Sequence, residues 1–167
     1  MNKKQVGALL KVISKDDARP ILMNAKIDTY EGTPHLVATD GYVLVAIKLD
    51  DEASELLGTM IRRSAIEKWY KLANGKSRLT SEELVSVSRG DYADNGSYQT
   101  GDYPEWTRLI PKEYRNPVGK IAFNATYMNT LQEVDGSDGM EWSIGGALEP
   151  VMAKNERGVY IFMPRKV

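Results

Sequence analysis

A chain of 167 residues has room for one ordinary domain, or for one domain and a large extension. Its composition, 42% hydrophobic and 27% charged, argues against wholesale disorder, and its net charge of −1 argues against binding polyanions through overall charge. The lack of cysteine excludes disulfides and thiolate metal sites and fits a cytoplasmic protein. No apolar run approaches the ~20 residues that span a bilayer, so no membrane association is expected.

The first part of the chain predicts one helix and three strands. Apolar residues recur at the i, i+3, i+4, i+7 spacing of one buried helical face from Val6 to Ile13, which predicts a helix over residues 3–15. Arg19-Pro20 ends it, because the residue before a proline avoids the helical region. Alternating and β-branched residues then predict strands at residues 21–31, 35–38 and 42–49.

The middle of the chain predicts a second set of elements. Residues 50–58 are polar and predict a loop, and a short strand at 59–61 leads into a helix at 63–73. Asn74-Gly75 is a helix stop signal. Three further strands are predicted at residues 76–80, 83–89 and 95–101.

The last part of the chain repeats this order. Residues 102–117 hold three prolines and predict an ordered connector. Asn124 is the expected N-cap of a helix at 125–134. Strands are predicted at residues 120–123, 139–145, 149–154 and 157–163. The chain therefore predicts an α+β fold of three repeated units, (αβββ)(βαβββ)(βαβββ), the first without its leading strand.

Charge is segregated along the chain. Residues 60–80 carry six basic side chains against one acid, residues 81–105 carry six acids against one base, and residues 124–149 carry five acids and no base. Such segregation either focuses a local electrostatic field or forms ordinary solvated faces, and the sequence leaves both open.

No constellation of catalytic or metal-binding residues is evident. The single histidine, His35, limits general-base chemistry and makes a zinc site improbable. The acidic pairs read as solvated loops more readily than as a magnesium site, and Gly145-Gly146 lacks the lysine of a phosphate loop. We expect a protein that is not an enzyme and that needs no cofactor or metal.

Four short stretches stand out in the order LVATDG (36–41), YPEWTRLIP (103–111), FNATY (123–127) and YIFMP (160–164). Together they resemble the bacterial β sliding clamp family, the processivity factor of the replicative DNA polymerase. LVATDG (36–41) followed by Leu44 resembles the VATDGHRL signature of the middle domain, and YPEWTRLIP (103–111) resembles the FPDYRRVLP loop at that domain's end. FNATY (123–127) is similar to a helix start in the last domain, and YIFMP (160–164) is similar to the YVVMPMRL terminus.

The resemblance implies a DNA-clamp fold, with residues 1–111 as a complete clamp-like domain and residues 112–167 as half of another. It also implies sequence-independent binding of double-stranded DNA by helices that line a pore. A ring of twelve pore helices would need four such chains, so a homotetramer is possible by counting. The DNA-facing residues implied are Lys4, Lys11, Lys15, Arg62, Arg63, Lys68 and Lys71.

The resemblance further implies a groove for the short linear peptides with which DNA polymerase and other clamp partners dock. Its apolar floor would bind anchors, and Arg108 and Arg165 would address peptide carbonyls or an acidic side chain. Two departures from the family pattern, Tyr42-Val43 and Arg165-Lys166-Val167, imply a different peptide preference. The groove residues implied are Thr39, Gly41, Tyr42, Val43, Leu44, Pro104, Arg108, Leu109, Ile161, Met163, Pro164 and Arg165.

Two functions follow from these expectations. The first is a sliding-clamp-like processivity factor for DNA replication that encircles duplex DNA. The alternative is a clamp-derived module that binds clamp-motif peptides, and docks or titrates clamp partners, without encircling DNA. As isolated residues, Leu44, Leu109 and Ile161 are more often core than ligand contacts, and Asp40-Gly41 is by default a hairpin turn.

Overall fold

The computed structural model describes residues 1–89, 102–113 and 121–165, with four α-helices and six strands in those ranges. The helices are α1 (Lys3–Val12), α2 (Arg63–Leu72), α3 (Ser81–Arg89) and α4 (Ala125–Asp135). The strands are β1 (Asn24–Tyr30), β2 (Thr33–Thr39), β3 (Val43–Lys48), β4 (Met60–Arg62), β5 (Val151–Asn155) and β6 (Gly158–Phe162). Short 3₁₀ helices occupy Pro20–Met23, Asp51–Leu56 and Trp106–Leu109. None of the described helices is long and apolar enough to cross a bilayer.

All six strands form one antiparallel sheet in the order β4-β1-β2-β3-β6-β5. The central pairing joins β3 to β6, with Val43 opposite Phe162 and Ile47 opposite Gly158. This pairing therefore joins strands of the first and third predicted units, and β4, from the second unit, lies at one edge of the same sheet. The division of the chain at residue 111 remains a prediction, and the sheet runs across it.

The two faces of the sheet have different covers, because successive side chains of a strand point to opposite faces. On one face Ile27, Ala38, Val45 and Tyr160 belong to a core completed by buried residues of all four helices. We call this side the helical face. The opposite side, which we call the connector face, carries a smaller cluster from β2, β3 and β6 together with buried aromatic residues of the connector. That cluster comprises Val37, Leu44, Ala46, Tyr103, Trp106, Val159 and Ile161.

A buried carboxylate ties α4 to the β5–β6 hairpin. The side chain of Asp135 is wholly buried at the end of α4. Its Oδ1 accepts hydrogen bonds from the Tyr160 hydroxyl at 2.7 Å and from Asn155 Nδ2 at 2.9 Å. Burial alone would raise the pKa of this carboxyl, but the nearby Ser137 hydroxyl, these hydrogen bonds and the Arg157 guanidinium hold the pKa below its usual value. Asp135 is therefore an ionised carboxylate that links α4 to the sheet through hydrogen bonds.

One segment that was predicted to be a strand is a helix in the structure. Residues 83–89, predicted as a strand, lie in α3. Leu84 and Val87 are both buried at helical spacing, and the backbone N–H of Glu83 donates to Thr80 Oγ1 at 3.2 Å. This helix packs against α2, β4 and the turn at Asp51–Leu56.

Four further predicted elements differ from the structure. Residues 76–80 and 139–145 are not strands, and contribute only the isolated bridges of Arg78 with Asn2 and of Ser143 with Met152. The first helix ends at Val12, three residues earlier than predicted. In the predicted strand 120–123 the described residues contribute an isolated bridge from Ala122 to Arg165. The predicted strand 95–101 lies outside the described residues.

Candidate functional site

The turn between β2 and β3 is fixed by its own side chains. Thr39 Oγ1 donates to the Val43 carbonyl at 2.8 Å and accepts from the Gly41 N–H at 3.0 Å. Asp40 Oδ1 accepts from the N–H groups of Tyr42 and Val43, at 2.8 and 2.9 Å. Gly41 has a φ of +94°, which favours glycine. The turn is thereby held in one conformation that leaves the Tyr42 side chain 59% exposed.

Residues 161–165, which we call the terminal segment, lie directly beside this turn. The Met163 N–H donates to the Tyr42 carbonyl at 2.9 Å, which continues the β3–β6 pairing beyond the strand ends. Thr39 is opposite Leu44, and Leu44 is opposite Ile161, so these three side chains point to the same face. That face is the connector face.

The connector crosses the same face of the sheet. The Tyr103 hydroxyl lies within hydrogen-bond distance of the carbonyls of Asn24 and Val37, at 3.4 and 3.3 Å. Burial raises the pKa of this hydroxyl well above its usual value, so it stays a protonated donor. Trp106 Nε1 is 3.3 Å from Asp28 Oδ2. The structure therefore brings all three sequence segments of the predicted groove to one face.

The aliphatic residues at the bottom of this candidate groove are buried. Leu44 and Ile161 are each only 2% exposed, and they pack in the cluster that contains Tyr103 and Trp106. The apolar side chains that solvent reaches are those of Tyr42 and of Leu109, which is 43% exposed. Pro104, Arg108 and Arg165 are exposed, and Met163 and Pro164 are partly buried.

Two predicted groove residues have a different environment from the others. Val43 points to the helical face and is buried in the larger core, so its side chain does not reach the connector face. Arg108 forms an exposed ion pair with Glu105, through Nε and Oε2. A carboxylate ligand would therefore compete with Glu105 for this guanidinium.

Sequence reasoning missed Arg19. Its guanidinium lies over the turn, since a Cβ added to Gly41 would come within 2.5 Å of the Arg19 Nη1. Asp16 Oδ2 accepts from Arg19 Nε at 2.9 Å, and this hydrogen bond lowers the pKa of Asp16 below its usual value. The sequence showed Arg19-Pro20 only as a helix stop. The signal available in the sequence was Gly41, because a residue without a Cβ leaves room for a side chain from another part of the chain.

No protein-family profile and no curated relative matches the sequence. Solved structures do match it. The sliding clamp (DNA polymerase III subunit beta) of Bartonella birtlesii bound to griselimycin superposes with a TM-score of 0.65 at 17% identity, covering 99% of this chain and 63% of that one. The chain has the fold of the β sliding clamps. The predicted α+β class and the clamp resemblance are thereby confirmed at the level of the fold.

Two other clamps match the sliding-clamp fold of this chain equally well. The clamp of C. crescentus has a TM-score of 0.66 at 14% identity, over 100% of this chain and 64% of that chain. The clamp of Bacillus subtilis has a TM-score of 0.62 at 14% identity, over 99% of this chain and 62% of that chain. The chain therefore spans less than two thirds of the length of the clamps it matches.

The cationic residues expected to face DNA differ in their exposure and in the ion pairs and hydrogen bonds that they make within the protein. Arg63 is bound within the protein: its side chain is 11% exposed, its Nε pairs with Glu67 at 2.8 Å, and its Nη1 donates to the carbonyls of Leu10 and Ile13. Lys11 pairs with Glu133 of α4 at 2.9 Å, and this hydrogen bond lowers the pKa of Glu133. Arg62 is partly buried. Of the residues expected to face DNA, those exposed to solvent are Lys4, Lys11, Lys15, Lys68 and Lys71.

Proposed function

We propose that this chain is a clamp-type binding protein whose connector face holds a short linear peptide of the kind with which clamp partners dock. The observation that carries the proposal is the convergence of the β2–β3 turn, the connector and the terminal segment on one face of one folded chain. Such a groove needs no second subunit. It is a binding function and involves no chemical step.

The groove would hold its ligand by a few apolar anchors and two or three cations. Tyr42, Leu109 and Met163 offer apolar surface that solvent reaches, above a floor of packed aliphatic residues. Arg19 and Arg108 flank this surface, and each is already paired with a nearby carboxylate. A peptide with two apolar anchors and one acidic residue fits this arrangement, because its carboxylate would exchange places with Asp16 or Glu105.

The proposal is tested by fluorescence polarisation with a labelled clamp-motif peptide. We expect saturable binding that Met163→Ala weakens about tenfold, since a central anchor contributes on the order of 1.4 kcal/mol or more. Leu57→Ala is the matched control, because Leu57 is another apolar residue that solvent reaches but lies in the connection between β3 and β4. Absence of binding, or equal affinities of the two variants, would overturn the proposal.

A second candidate is a processivity factor that assembles as a homo-oligomeric ring, a tetramer by helix count, around duplex DNA and tethers a polymerase. It is favoured by the exposed lysines on α1 and α2, Lys4 and Lys71 among them. Such contacts release counterions, so DNA retention would fall steeply with salt and would weaken in Lys4→Glu. A monomer by light scattering at micromolar concentration, with no salt-dependent DNA retention, would contradict this candidate and leave the peptide groove intact.

A further inference from the structure

A second apolar surface lies at the outer edge of β5, on the helical face of the sheet. Ser143 and Met152 exchange two backbone hydrogen bonds, at 2.7 and 3.1 Å, which hold the segment before β5 against that edge. The two neighbours of a residue in such a bridge point to the same side, so Trp142 and Ile144 share a face. This is the helical face, because Met140 and Trp142 pack against the larger core.

A buried ring of β6 joins this segment to the residues that precede α4. The rings of Trp142 and Phe123 both pack edge-on against the buried ring of Phe162, with centroids 5.2 and 5.7 Å away. Because both rings contact the same ring, they belong to one continuous surface. Solvent still reaches it, since Phe123 is 37% exposed and Ile144 is 38% exposed. We call this surface the corner patch, and it comprises Phe123, Met140, Trp142 and Ile144.

The helical layer ends beside the corner patch. The helix α4 packs against α1 and against β3 and β6, while α3 packs against α2 and β4 at the opposite edge of the sheet. Within the described residues, α4 is therefore the last helix on the β5 side. Single exposed apolar side chains need no explanation, but a contiguous group of them marks an interaction site.

The charges along this part of the chain are negative. Residues 121–153 contain five acids and no lysine, arginine or histidine. Two of these acids, Asp138 and Glu141, are exposed on the segment that carries the corner patch. One cation is close, because the N–H of the exposed Arg165 donates to the Ala122 carbonyl at 2.7 Å. The surroundings remain predominantly acidic, and two copies paired symmetrically through this patch would bring like charges together.

We propose that the corner patch docks a positively charged segment of another protein. Apolar side chains of that segment pack on Phe123, Trp142 and Ile144, which supply the aromatic and aliphatic contacts typical of the centre of an interface. Its lysine or arginine side chains pair with Asp138 and Glu141 at the rim, where opposite charges speed association and select the partner. The corner patch shares no residue with the peptide groove, so the two sites bind independently.

The test measures acrylamide quenching of tryptophan fluorescence in the full chain. Trp69 and Trp106 are 4% and 1% exposed, so quenching reports mainly on Trp142, which is only partly buried. The probes are short synthetic peptides of one length and spacing, made of leucine and lysine, of leucine and glutamate, or of serine and lysine. We expect the leucine–lysine peptide to protect Trp142 with a Kd of about 10 to 100 μM, and the others to bind at least about tenfold more weakly. Equal affinities, or no saturable protection, would overturn the proposal.

Variants locate the bound peptide. Ile144→Ala should weaken the leucine–lysine peptide about fivefold, and Leu57→Ala, at an exposed apolar residue that precedes β4, should leave its affinity unchanged. Glu141→Gln should weaken it about threefold, with a smaller effect at high salt, whereas the exposed Glu55→Gln should have no effect. Met163→Ala, in the groove, should also have no effect. An unaffected Ile144→Ala variant would overturn the proposal. So would protection of Trp142 that rises with the concentration of the chain alone and is lost in Ile144→Ala, because the occupant would then be a second copy.

Discussion

Replacement of Tyr160 by phenylalanine removes one buried hydrogen bond and leaves the packing intact. The Tyr160 hydroxyl donates to Asp135 Oδ1 at 2.7 Å, both residues are at most 2% exposed, and the phenylalanine ring would fill the same space as the tyrosine ring. A hydrogen bond to a charged group contributes about 1.5 to 3 kcal/mol, and the carboxylate that remains keeps only Asn155 on that oxygen. We therefore expect Tyr160→Phe to lower the free energy of unfolding by about 2 kcal/mol near pH 7, measured by urea denaturation.

The pH dependence of this loss distinguishes the hydrogen bond from simple repacking. The folded-state pKa of Asp135 is depressed, so its contribution to stability is present above the unfolded pKa and disappears as the pH falls through the folded pKa. The difference between wild type and Tyr160→Phe should therefore shrink on acidification to about pH 3. Tyr42→Phe, at an exposed tyrosine, is the control and should change stability by less than about 0.5 kcal/mol. A Tyr160→Phe loss that is the same at both pH values would refute the reasoning.

Two further substitutions test the walls of the groove. Trp106→Ala should lower the free energy of unfolding by about 3 to 5 kcal/mol in thermal or urea denaturation, because the indole is 1% exposed; a loss below about 1 kcal/mol would contradict its place in the core. Gly41→Ala should cost about 1 to 2 kcal/mol and weaken peptide binding, since φ is +94° and the new Cβ would meet Arg19. Gly75→Ala, where a Cβ meets nothing within 4 Å, is its control, and equal melting temperatures of these two variants would count against the strained turn.

Elements with a single dominant period were predictable from the sequence. The buried stripe from Val6 to Ile13 gave α1, the Asn124 N-cap and the following apolar residues gave α4, and alternation gave the strands β1 to β3. The helices bury one stripe each, so their pattern in the sequence is the pattern of burial. The strands β2 and β3 are buried on both faces, and their β-forming composition indicated them.

The helix α3 was missed because its sequence fits two periods. Leu84, Val85 and Val87 read as β-formers, yet Leu84 and Val87 are also three residues apart, which suits one helical face. The Thr80 to Glu83 spacing is a capping signature that precedes this segment, and the Glu83 N–H does donate to Thr80 Oγ1. Weighting the cap above β-propensity would have given the helix.

The candidate site was predictable in its position more than in its details. The three segments follow from the resemblance, and the alternation of strand residues places Leu44 and Ile161 on one face. The same alternation places Val43, the neighbour of Leu44, on the opposite, helical face, although the family resemblance had put it in the groove. The sequence could not show that Arg19 lies over Gly41, because that contact depends on packing between residues distant in sequence.

The pairing of β3 with β6 has a consequence for the order in which the chain can fold. The strand β3 acquires its second neighbour only when β6, which lies far along the sequence, has been synthesised. During synthesis one edge of this hydrophobic strand is therefore unpaired until residues 158–162 are available. Closure through such non-local contacts slows folding, so the nascent chain is exposed to aggregation until the β5–β6 hairpin pairs with β3.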